Sequence, residues 1–374
     1  MNPKYNPLFE AYTLPSGVTL KNRITMAPMT NFASHENGEV SDQELAYYRE
    51  RSGGVGAVIT ACVYVTPDGK GFVNEFGADK DEMIPSLRRL ADTIHQEGAK
   101  AILQIYHGGR LCPPDQIPDG QPISASAVAE EKEGAPVPRE MTSDDIHRVI
   151  RAYGEATRRA IEAGYDGVEL HGANGYLVQQ FFSPHSNIRT DEWGGSLEKR
   201  LTFPLAIVHE VKKVITEHAK RPFIFGYRLS PEEGHTPGIT LDDTMVLVDR
   251  LADEGLDYLH ISVNHFFGGS FRDRSDERSR TVLIHEKVGN RVPVMGVGSL
   301  NTPDEALAAL ETGVPLVSLG RPLLMEPQWV QKVQNGTEDT IRTTLSKQAQ
   351  QELVIPDYLW GALTTIPGWM PVTD

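Results

Sequence analysis

The sequence predicts a (β/α)8 TIM barrel, a fold of the α/β class. Short apolar runs recur eight times along the chain, and amphipathic helical segments separate them. Several of these helical segments end in a glycine that directly precedes the next apolar run. A glycine beyond a helix supplies a left-handed C-terminal cap, so each instance predicts a helix, a tight turn and a buried strand. Strands that are apolar on both faces are typical of parallel sheets covered by helices.

The eight predicted strands are spread over the whole chain. In order, they lie in the segments 23–29, 55–60, 97–105, 163–170, 222–230, 254–262, 293–298 and 312–320. Between the third and the fourth, residues 143–163 keep apolar side chains at helical spacing, and Ser143 is predicted to cap this helix. An open doubly wound sheet uses the same units. Eight repeats with no break in composition favour the barrel.

We expect one domain over residues 1–374, because no change in composition marks a second one. Two long loops interrupt the alternation of strands and helices: the proline-rich, acidic segment 111–141 and the segment 264–280. Loops of this length in a compact domain are usually functional or mobile. Segment 264–280 is therefore predicted to be mobile and to gate the mouth of the barrel, with Phe266 and Phe267 as candidate lid contacts. The alternative is a disordered excursion at the surface.

Charge and cysteine content exclude several classes of protein. The chain has 36 basic and 51 acidic residues, and no dense basic run that could follow a phosphate backbone, so nucleic acid and anionic membranes are poor partners. Cys62 and Cys112 match neither a disulfide framework nor a zinc-binding spacing. No apolar run approaches the roughly 18 residues of a membrane span, and the N-terminus lacks the features of a signal peptide. We expect a cytoplasmic protein.

Residues suited to ligand binding stand at the C-terminal end of nearly every predicted strand. Barrel active sites assemble at the C-terminal ends of the strands, where these residues should meet. In strand order, they are Pro28, Met29 and Thr30; Cys62; Gln104 and His107; His171, Asn174 and Tyr176; Arg228; Gly298 and Ser299; and Gly320 and Arg321.

The last two strand ends predict a phosphate site. Barrels commonly bind phosphate after strands seven and eight, where glycines let the backbone approach and a basic side chain closes the site. Gly298-Ser299 and Gly320-Arg321 suit this role, and Arg321 can donate to two phosphate oxygens. Taken alone, either glycine could simply end its strand. The "GVG" at 296–298 is not a dinucleotide fingerprint, because "SLNTP" follows it.

Arg228 ends the fifth strand, where its guanidinium needs an anion or an electron-rich ring. The alternative is an ion pair with Glu232 or Glu233. Gln104 and Thr30 are neutral hydrogen-bonding groups that would suit the polar edge of a heterocycle, although each is also compatible with an ordinary structural role.

The fourth strand is followed by His171, Asn174 and Tyr176. If the chain turns helical there, His171 and Asn174 share a face, and two neutral donors converge on one point. Such a pair suits a carbonyl oxygen that gains negative charge, and Tyr176 offers a weak acid beside it. The alternative is a set of hydrogen bonds that pack the loop. No metal-binding motif includes these residues, and no Ser-His-Asp grouping is evident.

Seven segments resemble the Old Yellow Enzyme family of FMN-dependent oxidoreductases, also called NADH:flavin oxidoreductases or ene-reductases. They cover nearly the whole chain in order, and the fourth is very specific. The segments are "LKNRITMAPMTNF" (20–32), "TPDGKG" (66–71), "LQIYHGGR" (103–110), "ELHGANGYLVQQFFSPHSNIRTDEWGGSLEKR" (169–200), "YRLSPEE" (227–233), "MGVGSLNTPDEA" (295–306) and "VSLGRPLLMEPQW" (317–329).

The resemblance implies non-covalent FMN, with NADH or NADPH as the reductant. It implies that Arg228 faces the N1/C2 carbonyl edge of the flavin, that His171 and Asn174 bind the substrate carbonyl oxygen, and that Tyr176 donates the proton. The residues that it implies around the isoalloxazine are Pro28, Met29, Thr30, Cys62 and Gln104. Those that it implies at the FMN phosphate are Gly298, Ser299, Gly320 and Arg321.

The resemblance also implies a ping-pong reduction of the C=C bond in α,β-unsaturated carbonyl compounds. Thr30 and Asn174 match the plant and yeast branch, whereas a large bacterial subgroup has Cys and many bacterial relatives have His at these positions. We expect a protein without the C-terminal iron–sulfur and nucleotide domains of the long dienoyl-CoA reductase relatives. Electrons should therefore come directly from NADH or NADPH.

Three alternative functions stay open from the sequence. One is an FMN barrel acting on tRNA as a dihydrouridine synthase, against which the net charge of −15 argues. Another is an NADH oxidase or quinone reductase, and the third is a flavin-binding module without turnover, which the intact Tyr176 disfavours. The sequence leaves open the physiological substrate, the choice between NADH and NADPH, and whether the chain forms a homo-oligomer.

Overall fold

The computed structural model describes residues 1–373 and contains a closed barrel of eight parallel strands, which confirms the predicted fold class. Each strand pairs with the next along the chain, and the last pairs with the first. The strands are β1 (Ile24–Met26), β2 (Ala57–Tyr64), β3 (Lys100–Tyr106), β4 (Gly167–Gly172), β5 (Ile224–Leu229), β6 (Tyr258–Ile261), β7 (Val294–Gly296) and β8 (Leu316–Leu319).

Helices connect these strands, and the layer between strands and helices holds the largest apolar cluster. None of the helices in residues 1–373 is both long and apolar enough to cross a membrane. The helices are α1 (Asn6–Phe9), α2 (Asp42–Ser52), α3 (Ile84–Gln96), α4 (Ser143–Ala163), α5 (Leu177–Phe182), α6 (Leu197–Arg200), α7 (Thr202–His218), α8 (Leu241–Ala252), α9 (Arg280–Val288), α10 (Pro303–Glu311), α11 (Arg321–Met325), α12 (Trp329–Asn335) and α13 (Asp357–Thr365).

Helix α4 has the predicted bounds, but its predicted cap at Ser143 is wrong. The cap is Thr142, whose hydroxyl accepts a hydrogen bond from the backbone N–H of Asp145 at 3.2 Å. The Asp145 carboxylate in turn accepts from the backbone N–H of Thr142 at 2.9 Å. This reciprocal capping box satisfies two helix-end donors, which Ser143 inside the first turn does not. At the other end, Gly164 adopts the left-handed conformation, as predicted.

Strand β2 was predicted over 55–60 but runs over Ala57–Tyr64. Its register against β3 shifts between Ile59 and Cys62, and beyond the shift Cys62 pairs with Gln104. A bulge of this kind bends a strand without ending it, and the apolar run alone does not reveal it. Cys62, which was predicted to follow its strand, therefore lies within it, and both Cys62 and Gln104 are buried.

A short hairpin closes the N-terminal end of the barrel. Its strands, Tyr12–Thr13 and Thr19–Leu20, pair antiparallel. Leu14 and Leu20 are buried against apolar side chains that enter the barrel from its strands. The opposite, C-terminal end of the barrel carries the long loops and is the end available for a site.

The two predicted long loops are present and are held to their neighbours. In segment 111–141, Ile123–Ser124 pairs with Arg139–Glu140. In segment 264–280, Arg272 donates to the backbone carbonyl oxygens of Glu233 and His235.

The two predicted lid contacts of segment 264–280, Phe266 and Phe267, differ in exposure. Phe266 is buried, and its ring lies where a side chain on Gly296 would be. Both Phe266 and Phe267 line the cavity at the C-terminal end of the barrel. Phe267 is 48% exposed. Phe266 packs inward because the glycine on β7 leaves room for its ring. The mobility and gating of the loop stay predictions.

Arg272→Ala should release segment 264–280 and change KM across several substrates, because this side chain ties the loop to the segment after β5. Arg274→Ala is the matched control, since Arg274 lies in the same loop, is exposed, and makes no described hydrogen bond or ion pair within residues 1–373. Steady-state kinetics with a small and a bulky substrate provides the measurement. Identical KM values in the two variants would show that the loop is not a lid.

Candidate active site

A cavity of about 1090 Å³ opens at the C-terminal end of the barrel. It brings together residues that are far apart in the sequence, from the ends of β1, β5, β7 and β8. The predicted site residues that line it are Pro28, Met29, Thr30, Arg228, Gly298, Ser299, Gly320 and Arg321. The convergence predicted for these strand ends is therefore present.

The ends of β7 and β8 form the polar side of this cavity. Arg321 donates to the hydroxyl of Ser299 at 2.9 Å, and that hydroxyl donates to the backbone carbonyl of Asn264 at 2.8 Å. Gly298 has a φ of 122°, and a Cβ there would lie 2.7 Å from the Val263 carbonyl oxygen. Only glycine fits this close approach of two backbones. The arrangement offers a guanidinium, a hydroxyl and an open backbone to an anion.

Arg228 is buried on the other side of the cavity, and the predicted alternative of an ion pair with Glu232 or Glu233 is wrong. Glu232 pairs with Arg280 at 3.4 Å, and Glu233 accepts a hydrogen bond from Gln179 at 2.8 Å. Arg228 donates to the hydroxyl of Ser262 at 3.1 Å, while its buried Nε has no partner among the described residues. A buried donor without an acceptor costs about 1–3 kcal/mol, so this edge of Arg228 is suited to a ligand acceptor.

Cys62 and Gln104 lie deeper in the barrel than predicted, and neither lines the open cavity. The Cys62 sulfur is 4.0 Å from the Thr30 hydroxyl. Burial, followed by the nearby Glu75, raises the pKa of the Cys62 thiol well above its usual value. Cys62 is therefore a neutral packing group beneath Thr30, and Gln104 binds a buried carboxylate, Glu169, at 2.7 Å.

His171 lies near the end of β4 and is almost completely buried. Its Nδ1 accepts a hydrogen bond from the backbone N–H of Ala173 at 3.2 Å, so the ring proton is on Nε2. Burial, and then the charge of Arg228, lowers the pKa of His171 to about 3. At neutral pH this side chain is an uncharged imidazole that donates from Nε2.

Tyr176 packs against His171, with ring centroids 5.0 Å apart in an edge-to-face arrangement. Tyr106 and Phe72 complete an aromatic group around its ring, at 5.1 and 6.2 Å. Burial raises the pKa of Tyr176 well above its usual value, so the phenol keeps its proton throughout the physiological range.

Asn174 is not placed as the helical-face argument predicted. The chain between β4 and α5 turns without forming a helix, and Asn174 is exposed with a left-handed φ of 58°. Its side-chain oxygen accepts a hydrogen bond from Ser262 at 2.9 Å, which leaves its amide N–H groups available. Because Arg228 also donates to Ser262, one serine links Asn174 to the cavity.

The sequence reasoning missed Tyr106, Glu75 and Glu169. Tyr106 follows Gln104 by two residues in β3, so the strand period places both on one face, and this signal could have identified it. The Tyr106 hydroxyl donates to Glu75 at 2.9 Å. Burial raises the pKa of Glu75 to about 8. Neither carboxyl group has a local signal that predicts its burial.

One group of three potential metal ligands, Glu131, His185 and His235, was found in residues 1–373, and it lies outside this cavity. The two imidazole rings are stacked flat, with centroids 3.9 Å apart. Nδ1 of His235 and Nε2 of His185 are buried without a hydrogen-bond partner among the described residues. Metal-ligating imidazoles normally converge on the ion and are oriented by a hydrogen bond, so this geometry does not favour a metal site.

The sequence model of the NADH:flavin oxidoreductase / NADH oxidase family matches residues 7–340. The chain belongs to this family. A relative within it, the probable NADH-dependent flavin oxidoreductase YqiG of Bacillus subtilis, is 50% identical over the full length of both chains. The chain is thus an oxidoreductase that uses FMN, with NADH or NADPH as the reductant.

Longer relatives of the family also match. The NADH:fumarate oxidoreductase of Klebsiella pneumoniae is 42% identical over 94% of this chain, which spans only 38% of that relative. Among solved structures, an old yellow enzyme homologue from Zymomonas mobilis has a TM-score of 0.76 at 26% identity, over 88% of this chain and 92% of the other. Morphinone reductase in complex with tetrahydroNAD has a TM-score of 0.74 at 27% identity, over 88% and 91%. The predicted family resemblance is confirmed.

Proposed function

We propose that this protein is an ene-reductase, which reduces the activated C=C bond of α,β-unsaturated carbonyl compounds with electrons from NADH or NADPH. The observation that carries the proposal is the contact between a neutral imidazole donor, His171, and a protonated phenol, Tyr176, at the C-terminal end of the barrel. Relatives named for the reduction of fumarate and acrylate support it, since both compounds are α,β-unsaturated carboxylates.

We propose that the whole chain is one FMN-binding domain and that FMN occupies the cavity at the barrel mouth. Its phosphate would lie at Gly298, Ser299, Gly320 and Arg321. The polar edge of its ring would lie at Arg228, whose unpartnered Nε needs an acceptor. Pro28, Met29 and Thr30 line the cavity beside it, and Cys62 and Gln104 lie beneath. When bound, FMN supplies hydride transfer between the nicotinamide and the substrate.

His171 would bind the substrate carbonyl oxygen through Nε2. Because the pKa of His171 is about 3, its imidazole is neutral at the pH of the cell, and the residue polarises the carbonyl by donating a hydrogen bond. The amide of Asn174 would provide the second donor, since its oxygen is already held by Ser262. Both donors are neutral, so the charge that develops on the oxygen is stabilised without proton transfer to it.

Tyr176 would donate the proton to Cα of the substrate. A phenol with a raised pKa is protonated when the substrate arrives, which is the state that an acid requires. The rings of Tyr106, Phe72 and His171 surround Tyr176 and restrict its orientation. The hydroxyl is therefore presented by a packed side chain and does not rely on a mobile loop.

A substrate panel tests the proposed reaction. Cyclic enones, unsaturated carboxylates and quinones would be compared in steady-state kinetics, with NADH and NADPH in turn. Turnover of an enone or an unsaturated carboxylate, with the saturated product identified, is the expected result. Reduction of quinones or oxygen alone would instead favour the NADH oxidase or quinone reductase alternative.

Arg321→Ala should weaken FMN binding roughly ten- to a hundredfold, because it removes a charge-assisted contact worth about 1.5–3 kcal/mol. The purified protein should be yellow, and titration of the apoprotein with FMN would give the dissociation constants. Arg291→Ala is a control, since Arg291 pairs with Asp249 and Asp253 and does not line the cavity. Equal FMN affinity in the Arg321 variant and the wild type would refute the phosphate assignment.

A further inference from the structure

A buried carboxylate, Glu169, lies inside the barrel beneath the proposed flavin site. It precedes His171 by two residues in β4, so both side chains are on the same face of the strand. Glu169 accepts hydrogen bonds from the Gln104 amide at 2.7 Å, the Tyr258 hydroxyl at 2.9 Å and Nδ1 of His260 at 3.0 Å. All four side chains are almost fully excluded from solvent.

The barrel leaves space for the hydrogen bond from Tyr258 on β6 to Glu169 on β4, which passes over β5. Strand β5 lies between β4 and β6, and both Glu169 and Tyr258 pair in register with Gly226. A side chain on Gly226 would collide with the ring of Tyr258. The glycine therefore allows Tyr258 to reach across β5 to the carboxylate.

Glu169 is ionised in this surrounding. Burial alone would raise its pKa, but His260, Arg228 and the hydrogen bond from Gln104 outweigh burial and hold the pKa below its usual value. His260 donates to Glu169 from Nδ1, and burial lowers the pKa of this imidazole. The carboxylate thus keeps its negative charge among three hydrogen-bond donors, close to the buried Arg228.

The charge of Glu169 also fixes the orientation of Gln104. An ionised carboxylate can only accept hydrogen bonds, so Gln104 must present its NH2 group to Glu169. The carbonyl oxygen of the same amide is then the end that is left for a ligand, and no described residue in 1–373 donates to it. Gln104 therefore offers a ligand a hydrogen-bond acceptor, whereas Arg228 offers it a donor through its unpartnered Nε.

We propose that Glu169 is a positioning residue for FMN. By holding the NH2 group of Gln104, it directs the Gln104 carbonyl oxygen to accept the N3–H of the flavin ring. Its negative charge also offsets the positive charge of Arg228 and so lowers the reduction potential of bound FMN. This inference rests on the flavin placement proposed above, and it requires no contact between Glu169 and FMN.

Glu169→Gln tests the charge, because glutamine has the same shape and is neutral. The midpoint potential of bound FMN should rise, since Arg228 then stabilises the reduced flavin without a nearby counter-charge. We expect at least a tenfold change in the ratio of reduced to oxidised FMN, which is about 30 mV for a two-electron couple. The measurement is an equilibrium redox titration of the holoenzyme, followed by absorbance.

Tyr258→Phe is the matched control, because it keeps the charge of Glu169 and removes one of its neutral donors. It should shift the potential by less than half as much as Glu169→Gln does. Equal shifts in the two variants would show a packing effect and overturn the proposal, as would an unchanged potential in Glu169→Gln.

A second measurement uses the wild-type protein and does not depend on the folding of a variant. Holoenzyme reconstituted with FMN labelled at the ring nitrogens should show, by NMR, an N3–H resonance that is hydrogen-bonded and protected from exchange. An N3–H that exchanges freely with water would overturn the proposed role of Gln104. Failure of the flavin placement itself would appear separately, as unchanged FMN affinity in Arg321→Ala.

Discussion

Tyr176→Phe should slow the oxidation of the reduced enzyme by a cyclic enone about 10²–10⁴-fold, the usual contribution of a positioned acid. Flavin reduction by NADH or NADPH should stay near the wild-type rate, because that half-reaction needs no proton from this side chain. Phenylalanine keeps the ring and its contacts with His171 and Tyr106 and removes only the hydroxyl. Stopped-flow absorbance of the flavin measures the two half-reactions separately.

Two comparisons make the Tyr176 result specific. Reoxidation by quinones should be spared, because their reduced products can take protons from water. The ring of Tyr106 lies next to that of Tyr176, and its hydroxyl donates to Glu75. Tyr106→Phe removes this hydroxyl, and its effect on enone reduction should be smaller than tenfold. An enone rate in Tyr176→Phe equal to that of the wild type would mean that another group or water supplies the proton.

His171→Ala should lower turnover of enones about 10²–10³-fold, the usual cost of losing one donor to a developing oxyanion. Asn174→Ala should act in the same direction, and both variants should bind phenols more weakly, because a phenol oxygen would occupy the position of the substrate oxygen. Binding would be measured from the perturbation of the flavin spectrum by a phenol.

His209→Ala is the control for the removal of an imidazole. His209 is largely exposed, pairs with Glu254 at 3.1 Å and does not line the cavity. Its replacement should leave both phenol binding and enone turnover unchanged. Phenol affinity in His171→Ala equal to that of the wild type would remove this residue from the substrate site.

The fold was predictable because its signals are local. Periodic apolar residues and glycines such as Gly164 specify helices, turns and strands within a few residues of themselves. The errors occurred where a distant segment decides the outcome. The register of β2 against β3 extends the strand past Cys62, beyond the end that the apolar run predicted.

The candidate site divides in the same way. The chemistry of His171, Tyr176 and Arg228 was evident from their residue types and their positions at or near the ends of strands. The hydrogen-bond partners of the buried Glu169 carboxylate could not be predicted. Gln104, Glu169 and Tyr258 come from three different strands that meet only in the closed barrel. Asn174 was misplaced, since a left-handed residue directs its side chain to Ser262 and breaks the helical spacing assumed for it.

The hairpin that carries Leu14 and Leu20 closes the N-terminal end of the barrel, so the cavity opens at the opposite end. Under the proposed function, the nicotinamide and the unsaturated substrate would both enter by this opening, and each would have to leave before the other could bind. An excess of either molecule would then inhibit turnover by blocking the other. Alternation of donor and acceptor would thus follow from a barrel that is closed at its N-terminal end.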